Sequence, residues 1–294
     1  MITEYIKYLY NAIVNYWYKK SITNYHLPFP INIENDPEFI KFKDNEVVLN
    51  KIIFALNNIP DIVHTLLFNE KYFSITIKVN KYKITSVYHS LENIQEHLKS
   101  DNRYIYIRLN IITNSTYKMH HVNCIIIDKK EKYILFFEPR VNFLFNIDDL
   151  IKELDALINI KDYKKLLPSD IGYNIFNRLQ KYDAFCQTYV LFAYILIINN
   201  KDIHYTNFST MFNSMDTQSI GCLFYYINNL LENNNYNICD QPIIWKYPTN
   251  NLKNIFNMIN IFSNNKSEDQ DIELSDMDIY EEGDLIFVDA KMHI

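Results

Sequence analysis

The chain has 294 residues, 48% of them apolar, and a formal net charge of −6. That is ordinary for a globular protein and fills one large core or two modest ones. The longest apolar run, Tyr189 to Ile198, is too short to span a bilayer, and outside one acidic stretch the basic excess is too slight to point to nucleic acid.

Residues 1 to about 70 read mostly as helix. Apolar residues recur at helical spacing over Glu4 to Lys20 and again over Asn50 to Leu67, where Pro60 breaks the pattern. The segment between, with Pro28, Pro30 and Pro37, reads as loop. From Tyr72 the period changes to two. Tyr72 to Val79, Tyr82 to Tyr88 and Arg103 to Thr113 read as strands, with one or two helical turns over Leu91 to Leu98. Asp148 to Leu157 reads as a helix with carboxylates near its start, where the helix dipole favours them. Tyr173 to Leu179 reads as another strand. Helices are expected over Cys222 to Leu231 and Leu252 to Phe262, and Leu285 to Val288 reads as an edge strand or docking patch. From Glu268 to Asp284 the chain carries nine acidic residues and no basic ones, the pattern of a solvated, partly disordered segment.

The sequence HHVNCIIIDKKEKYILFFEPR, His120 to Arg140, has two apolar runs around a polar break and reads as an antiparallel hairpin. A two-residue turn at Lys129-Lys130 sets Asp128 opposite Glu131, and the same register sets His121 opposite Glu138. Side chains so paired have Cβ atoms roughly 4.5–5.5 Å apart. His120 then points to the other face. The turn lacks the Asn-Gly or Gly that two-residue loops prefer, so a longer loop with a shifted register stays open.

The four cysteines are scattered, with neither a zinc spacing nor a disulfide framework, as expected in a reducing setting. No leader is expected in the opening residues. Cys186 alone has a context. Asp183 is a candidate N-cap for the apolar helix that follows, which puts Cys186 in its first turn. There the helix dipole and free N–H groups favour a thiolate. A nucleophile, a base and an orienting acid are then available as Cys186, His121 and Glu138. Gln180 and the backbone N–H of Cys186 are candidate donors to an oxyanion. Cys124, Cys222 and Cys239 have no comparable neighbours.

The order His121, Glu138-Pro139, Gln180, Cys186 resembles the papain-like superfamily that holds the adenovirus maturation protease and the SUMO- and ubiquitin-like-specific proteases. The histidine and acid stand 17 apart, as in that group, and the glutamine stands six before the cysteine. The segment HVNCIIIDKKEKYILFFEP is also similar to a version in proteins of large DNA viruses. The resemblance covers about residues 100 to 200. Val122 stands where the ubiquitin-like-specific branch often has Trp, and Gln187 where it has Gly.

The resemblance implies an α+β, papain-like cysteine peptidase fold, with a central antiparallel sheet packed against a helix that starts at the catalytic cysteine. Along its residues the chain divides into a helical N-terminal extension over 1–70, a cysteine peptidase core over 71–200, a helical C-terminal part over 201–262 and an acidic, partly disordered tail over 263–294. The resemblance further implies hydrolysis of peptide or isopeptide bonds by a Cys186–His121–Glu138 triad with Gln180 at the oxyanion, without metal or cofactor. The expected partner is a protein substrate, a viral precursor or a ubiquitin-like conjugate, in the host cytoplasm or the virion and away from membrane. An acyltransferase on the same triad, or an inactive peptidase fold that binds virion or host proteins, are the alternatives.

Overall fold

The computed structural model describes residues 27–29, 33, 35–43, 45–113, 120–140, 143–171, 186–200 and 217–234, together with the backbone of 278–281 and 286–289. The expected helices at Glu4 to Lys20 and Leu252 to Phe262, the strand at Tyr173 to Leu179, and Asp183, Gln180 and Cys239 lie outside the described residues.

In chain order come α1 (Pro37–Lys43), α2 (Glu46–Asn58), α3 (Pro60–Phe68), β1 (Phe73–Asn80), β2 (Lys83–Ser90), α4 (Ile94–Lys99), β3 (Tyr104–Thr113), β4 (His120–Asp128) and β5 (Tyr133–Phe137). Then follow α5 (Ile147–Ile158), β6 (Lys164–Leu166), a 3-10 turn (Pro168–Ile171), α6 (Cys186–Asn199), α7 (Thr217–Asn233), β7 (Asp278–Glu281) and β8 (Ile286–Asp289). The protein is mixed α+β. Its six-stranded sheet runs β2-β1-β3-β4-β5-β6. The middle, β3-β4-β5, is antiparallel as expected. The sheet as a whole is mixed, because β1 pairs β3 and β5 pairs β6 in parallel.

Two features depart from the sequence expectation near the N-terminal helices and the tail. Pro37 does not sit in loop but opens α1. A proline is suited to the first helical turn, where its missing N–H has no partner to lose, and the Asp36 carboxylate accepts the N–H of Glu38 at 2.9 Å. In the acidic stretch, read as partly disordered, Asp278–Glu281 pairs antiparallel with Ile286–Asp289, so the patch near the C-terminus joins a separate two-stranded sheet rather than the edge of the main one.

The scarcity of glycine, three in the whole chain, shows in the backbone. Positive φ falls on Asn69, Lys81, Tyr82, Asn93, Lys132 and Asn159. Asn69 and Asn159 are the left-handed C-caps of α3 and α5, the post usually held by glycine and next best by asparagine.

Each sheet face carries its own core. Tyr104, Tyr106, Val122, Cys124, Ile126, Leu135 and Phe137 share one cluster with α6 and with side chains of α1, α2, α3 and α7. Phe73, Ile75, Ile77, Ile105, Ile107, Ile125 and Ile127 share the other with Leu150, Leu154 and Ile158 of α5. Helix α6 is buried from Cys186 through Ile197, which explains a sequence apolar on all sides rather than along one stripe. Among the described residues no helix is long and apolar enough to cross a membrane.

The β4–β5 turn has four residues, Lys129 to Lys132, not two, and the ladder pairs Asp128 with Tyr133. Asp128 is the cause. Its carboxylate, fully buried, accepts the N–H groups of Lys130 and Glu131 at 3.0 and 3.1 Å and binds the Arg103 guanidinium at 2.8 Å. A carboxylate capping its own turn in this way favours the longer loop. Asp128→Ala leaves two backbone donors and a largely buried guanidinium short of an acceptor. It is expected to cost about 2–4 kcal/mol, measured by urea unfolding. A loss under about 0.5 kcal/mol refutes this anchor role.

Candidate active site

The longer turn shifts the β4–β5 register by two residues relative to the expected one. In the observed register the position facing Glu138 is Asn123, and His121 lies one diagonal away. A shift of two keeps every side chain on its face, whereas a shift of one reverses them all. His121 and Glu138 therefore still meet. His121 Nε2 stands 2.8 Å from Glu138 Oε1 and 3.0 Å from Oε2. Both residues are almost wholly buried, 3% and 1% exposed. The backbone N–H of Arg140 donates to Glu138 Oε1 at 2.8 Å, so the carboxylate is held from the strand and from the turn beyond Pro139.

Cys186, the first residue of α6, reaches this pair. Its thiol is hydrogen-bonded to the His121 side chain and also takes the backbone N–H of Val122. Because Nε2 is engaged by Glu138, Nδ1 is the ring nitrogen left for the sulfur. The order is carboxylate, imidazole, thiol, with one ring nitrogen for each neighbour. The rest of α6 fixes this end: the strand pair β3–β4 packs along the helix, with Cys124 Sγ 3.9 Å from the Val190 carbonyl. Gln187, next to Cys186, is held by the Asn57 side chain of α2.

The electrostatics follow from these contacts. Burial works to lower the His121 pKa. The Glu138 charge and the bonds to Cys186 and Glu138 outweigh it, and the value rises to about 9. His64 is the internal control. It is buried and, among the described residues, in no ion pair, and burial drops it to about 4 against the smaller opposing effect of a bond with the Glu70 backbone. Burial works to raise the Cys186 thiol, but the bond to His121, the charge on that ring, Arg140 and the Val122 N–H together bring it below the ordinary range. At Cys124, burial and the Glu138 charge push the thiol well up. So the arrangement favours a thiolate–imidazolium pair at Cys186 and His121, and an inert thiol at Cys124. The two groups titrate as a pair.

Of the expected site residues, the structure brings Cys186, His121 and Glu138 together. Gln180 falls outside the described residues. Arg140 and the Val122 N–H were missed. The signal for Arg140 was its place two residues past Glu138, where a turn at Pro139 folds the chain back. Asn57 carried no signal. Among the described residues no three histidine, cysteine, aspartate or glutamate side chains gather as metal ligands. Comparison with protein-family models, curated proteins and solved structures found no match to this chain.

Proposed function

We propose that this chain is a cysteine peptidase of papain-like architecture, hydrolysing peptide or isopeptide bonds through Cys186, His121 and Glu138. The observation that carries the proposal is the continuous hydrogen-bonded line from the buried Glu138 carboxylate through His121 to the Cys186 thiol. The thiolate adds to the scissile carbonyl and forms a tetrahedral oxyanion. The imidazolium gives its proton to the leaving amine as the C–N bond breaks, and a thioester remains. Imidazole then takes a proton from water, hydroxide attacks the thioester, and the thiolate departs. Glu138 keeps the ring oriented and its cation stable. Gln180 is the proposed oxyanion donor, on the strength of the family resemblance. That resemblance also supports a viral precursor or a ubiquitin-like conjugate as substrate, in the host cytoplasm or the virion.

Alkylation tests the proposal. Cys186 keeps 8% of its surface exposed, while Cys124 and Cys222 keep 1% each. Iodoacetamide at pH 6.5 is expected to modify Cys186 about a hundredfold faster than either of them, since a thiol at its ordinary value near ~8.5 is only about 1% ionised there. Peptide mapping by mass spectrometry reads the sites. Equal modification of the three sinks the proposed nucleophile.

A further inference from the structure

We infer that Asn123 is a positioning residue of the reactive centre: its amide is the donor that takes hold of the Glu138 carboxylate when His121 surrenders a proton. The inference rests on the peptidase proposal and names a group that keeps the base from holding its proton too tightly.

Asn123 lies in β4, opposite Leu109 of β3. On its other side the ladder ends with Cys124 against Phe137, which sets Glu138 across from Asn123. Strand alternation puts Asn123 on the face of His121, two residues before it, and of Ile125, two after. Leu109, Ile125 and Phe136 make that face apolar. Asn123 is 0% exposed. Neither its Oδ1 nor its Nδ2 has a hydrogen-bond partner. The contrast is Asp128, five residues on and equally buried, whose carboxylate holds two backbone N–H groups and the Arg103 guanidinium. Most buried polar side chains are bonded in this way, and one that is not costs stability. A leucine of nearly the same shape would avoid that cost, so the amide calls for a use.

Glu138 offers that use. Its Oε1 accepts two donors, His121 Nε2 and the Arg140 N–H, each at 2.8 Å. Among the described residues, Oε2 accepts only the longer arm of the same His121 bond, at 3.0 Å, and so keeps a lone pair to spare. Facing positions of an antiparallel ladder have Cα atoms about 4.5–5.5 Å apart, so a rotation of the Asn123 side chain brings Nδ2 to Oε2. At rest the imidazolium is the counter-charge of Glu138 and the amide is idle. In acylation the Nδ1 proton passes to the leaving amine. The ring becomes neutral and keeps its Nε2–H on Glu138. The buried carboxylate then lacks a cation, and a second N–H donor gains most in strength. Asn123 gives up no proton in this step. Its bond favours the neutral ring over the imidazolium and so eases the departure of the proton. Of the charged groups about the ring, Glu138 and Cys186 hold the proton on it, and Arg140 acts on the sulfur. Asn123 works the other way.

The titration of the His121 ring, followed by heteronuclear NMR on the full-length protein, tests this with protons as the only ligand. Asn123→Leu and Asn123→Ala, with melting curves to show that each folds, are both expected to bind the His121 proton about tenfold more tightly than the unaltered protein, the worth of one hydrogen bond to a charged group. A ring that titrates as before in the folded variants overturns the inference and leaves Asn123 an orphan of the core. The unaltered protein supplies a test that needs no variant. As pH rises through the His121 titration, near about 9, the side-chain amide proton resonances of Asn123 are expected to move downfield. Resonances that stay in place overturn the inference. Neither measurement needs turnover. A protein that shows the tighter proton in the variants but hydrolyses nothing keeps the role of Asn123 and loses the peptidase, whereas hydrolysis with an unmoved titration does the reverse.

Discussion

His121→Ala is expected to lower hydrolysis by about 10⁴-fold, the scale on which removal of one member of such a triad acts. Two losses coincide. The leaving amine has no proton donor, and Cys186 loses the two largest influences that lower its pKa while its burial remains. The thiol then moves above its ordinary range, like that of Cys124. The alkylation rate at pH 6.5 falls with it, and Cys186 stops standing out from Cys124 and Cys222.

The wild-type pH dependence carries the same information. The folded pKa of His121 is raised to about 9 from 6.5. The proton is bound more tightly in the folded state, so its stabilising contribution is complete below about 6.5 and fades as pH climbs through about 9. Cys186 is shifted down, so the contribution of its thiolate is present above the ordinary thiol value and fades as pH falls through the lowered one. The ion pair fills the window between. Hydrolysis, which needs the imidazolium as proton donor, is expected to decline above about 9. A pH–rate profile of kcat/KM with any cleaved peptide measures both limbs. A profile that rises steadily to pH 10, as for an unassisted thiol, contradicts the ion pair.

How far the sequence foretold the site can be seen in the hairpin. Alternation alone put His121 and Glu138 on one face, and that survived a turn length that was wrong by two residues. The two-residue error was in Asp128, whose charge looked like part of a polar break and is instead a buried turn anchor. Helix α6 was legible because twelve consecutive buried residues leave no polar stripe. β6 was not, since three residues, Lys164 to Leu166, hold too little pattern and owe their conformation to pairing with β5. The burial of Arg108 was within reach of sequence reasoning: a basic residue two positions after Tyr106, in a strand apolar on both faces, is carried inside with its neighbours, and it is 6% exposed. Pro37 was misread because a proline ends one helix and starts another with equal ease, and only the Asp36 cap decides.

Glu138 is the residue whose loss is expected to show in stability and activity together. Its carboxylate, wholly buried, takes His121 Nε2 through both oxygens and the Arg140 N–H through one. Glu138→Ala leaves those donors without an acceptor and an imidazolium without its counter-charge. Removing one partner from a buried ion pair costs about 3–5 kcal/mol, so a large drop in the urea midpoint is expected. Glu138→Gln separates packing from charge. Its volume and one acceptor oxygen remain, while the largest influence raising His121 disappears. Burial, which already lowers that pKa, then has less against it, and the ring moves back toward the behaviour of His64. The basic limb of the pH–rate profile should therefore shift below about 9, with kcat reduced by about 10²–10⁴-fold through a weakened and misoriented base. Stability should fall less than in the alanine variant. If Glu138→Gln leaves the basic limb where it was, the charge on residue 138 is not what holds the proton on His121, and the carboxylate's part in the chemistry falls with it.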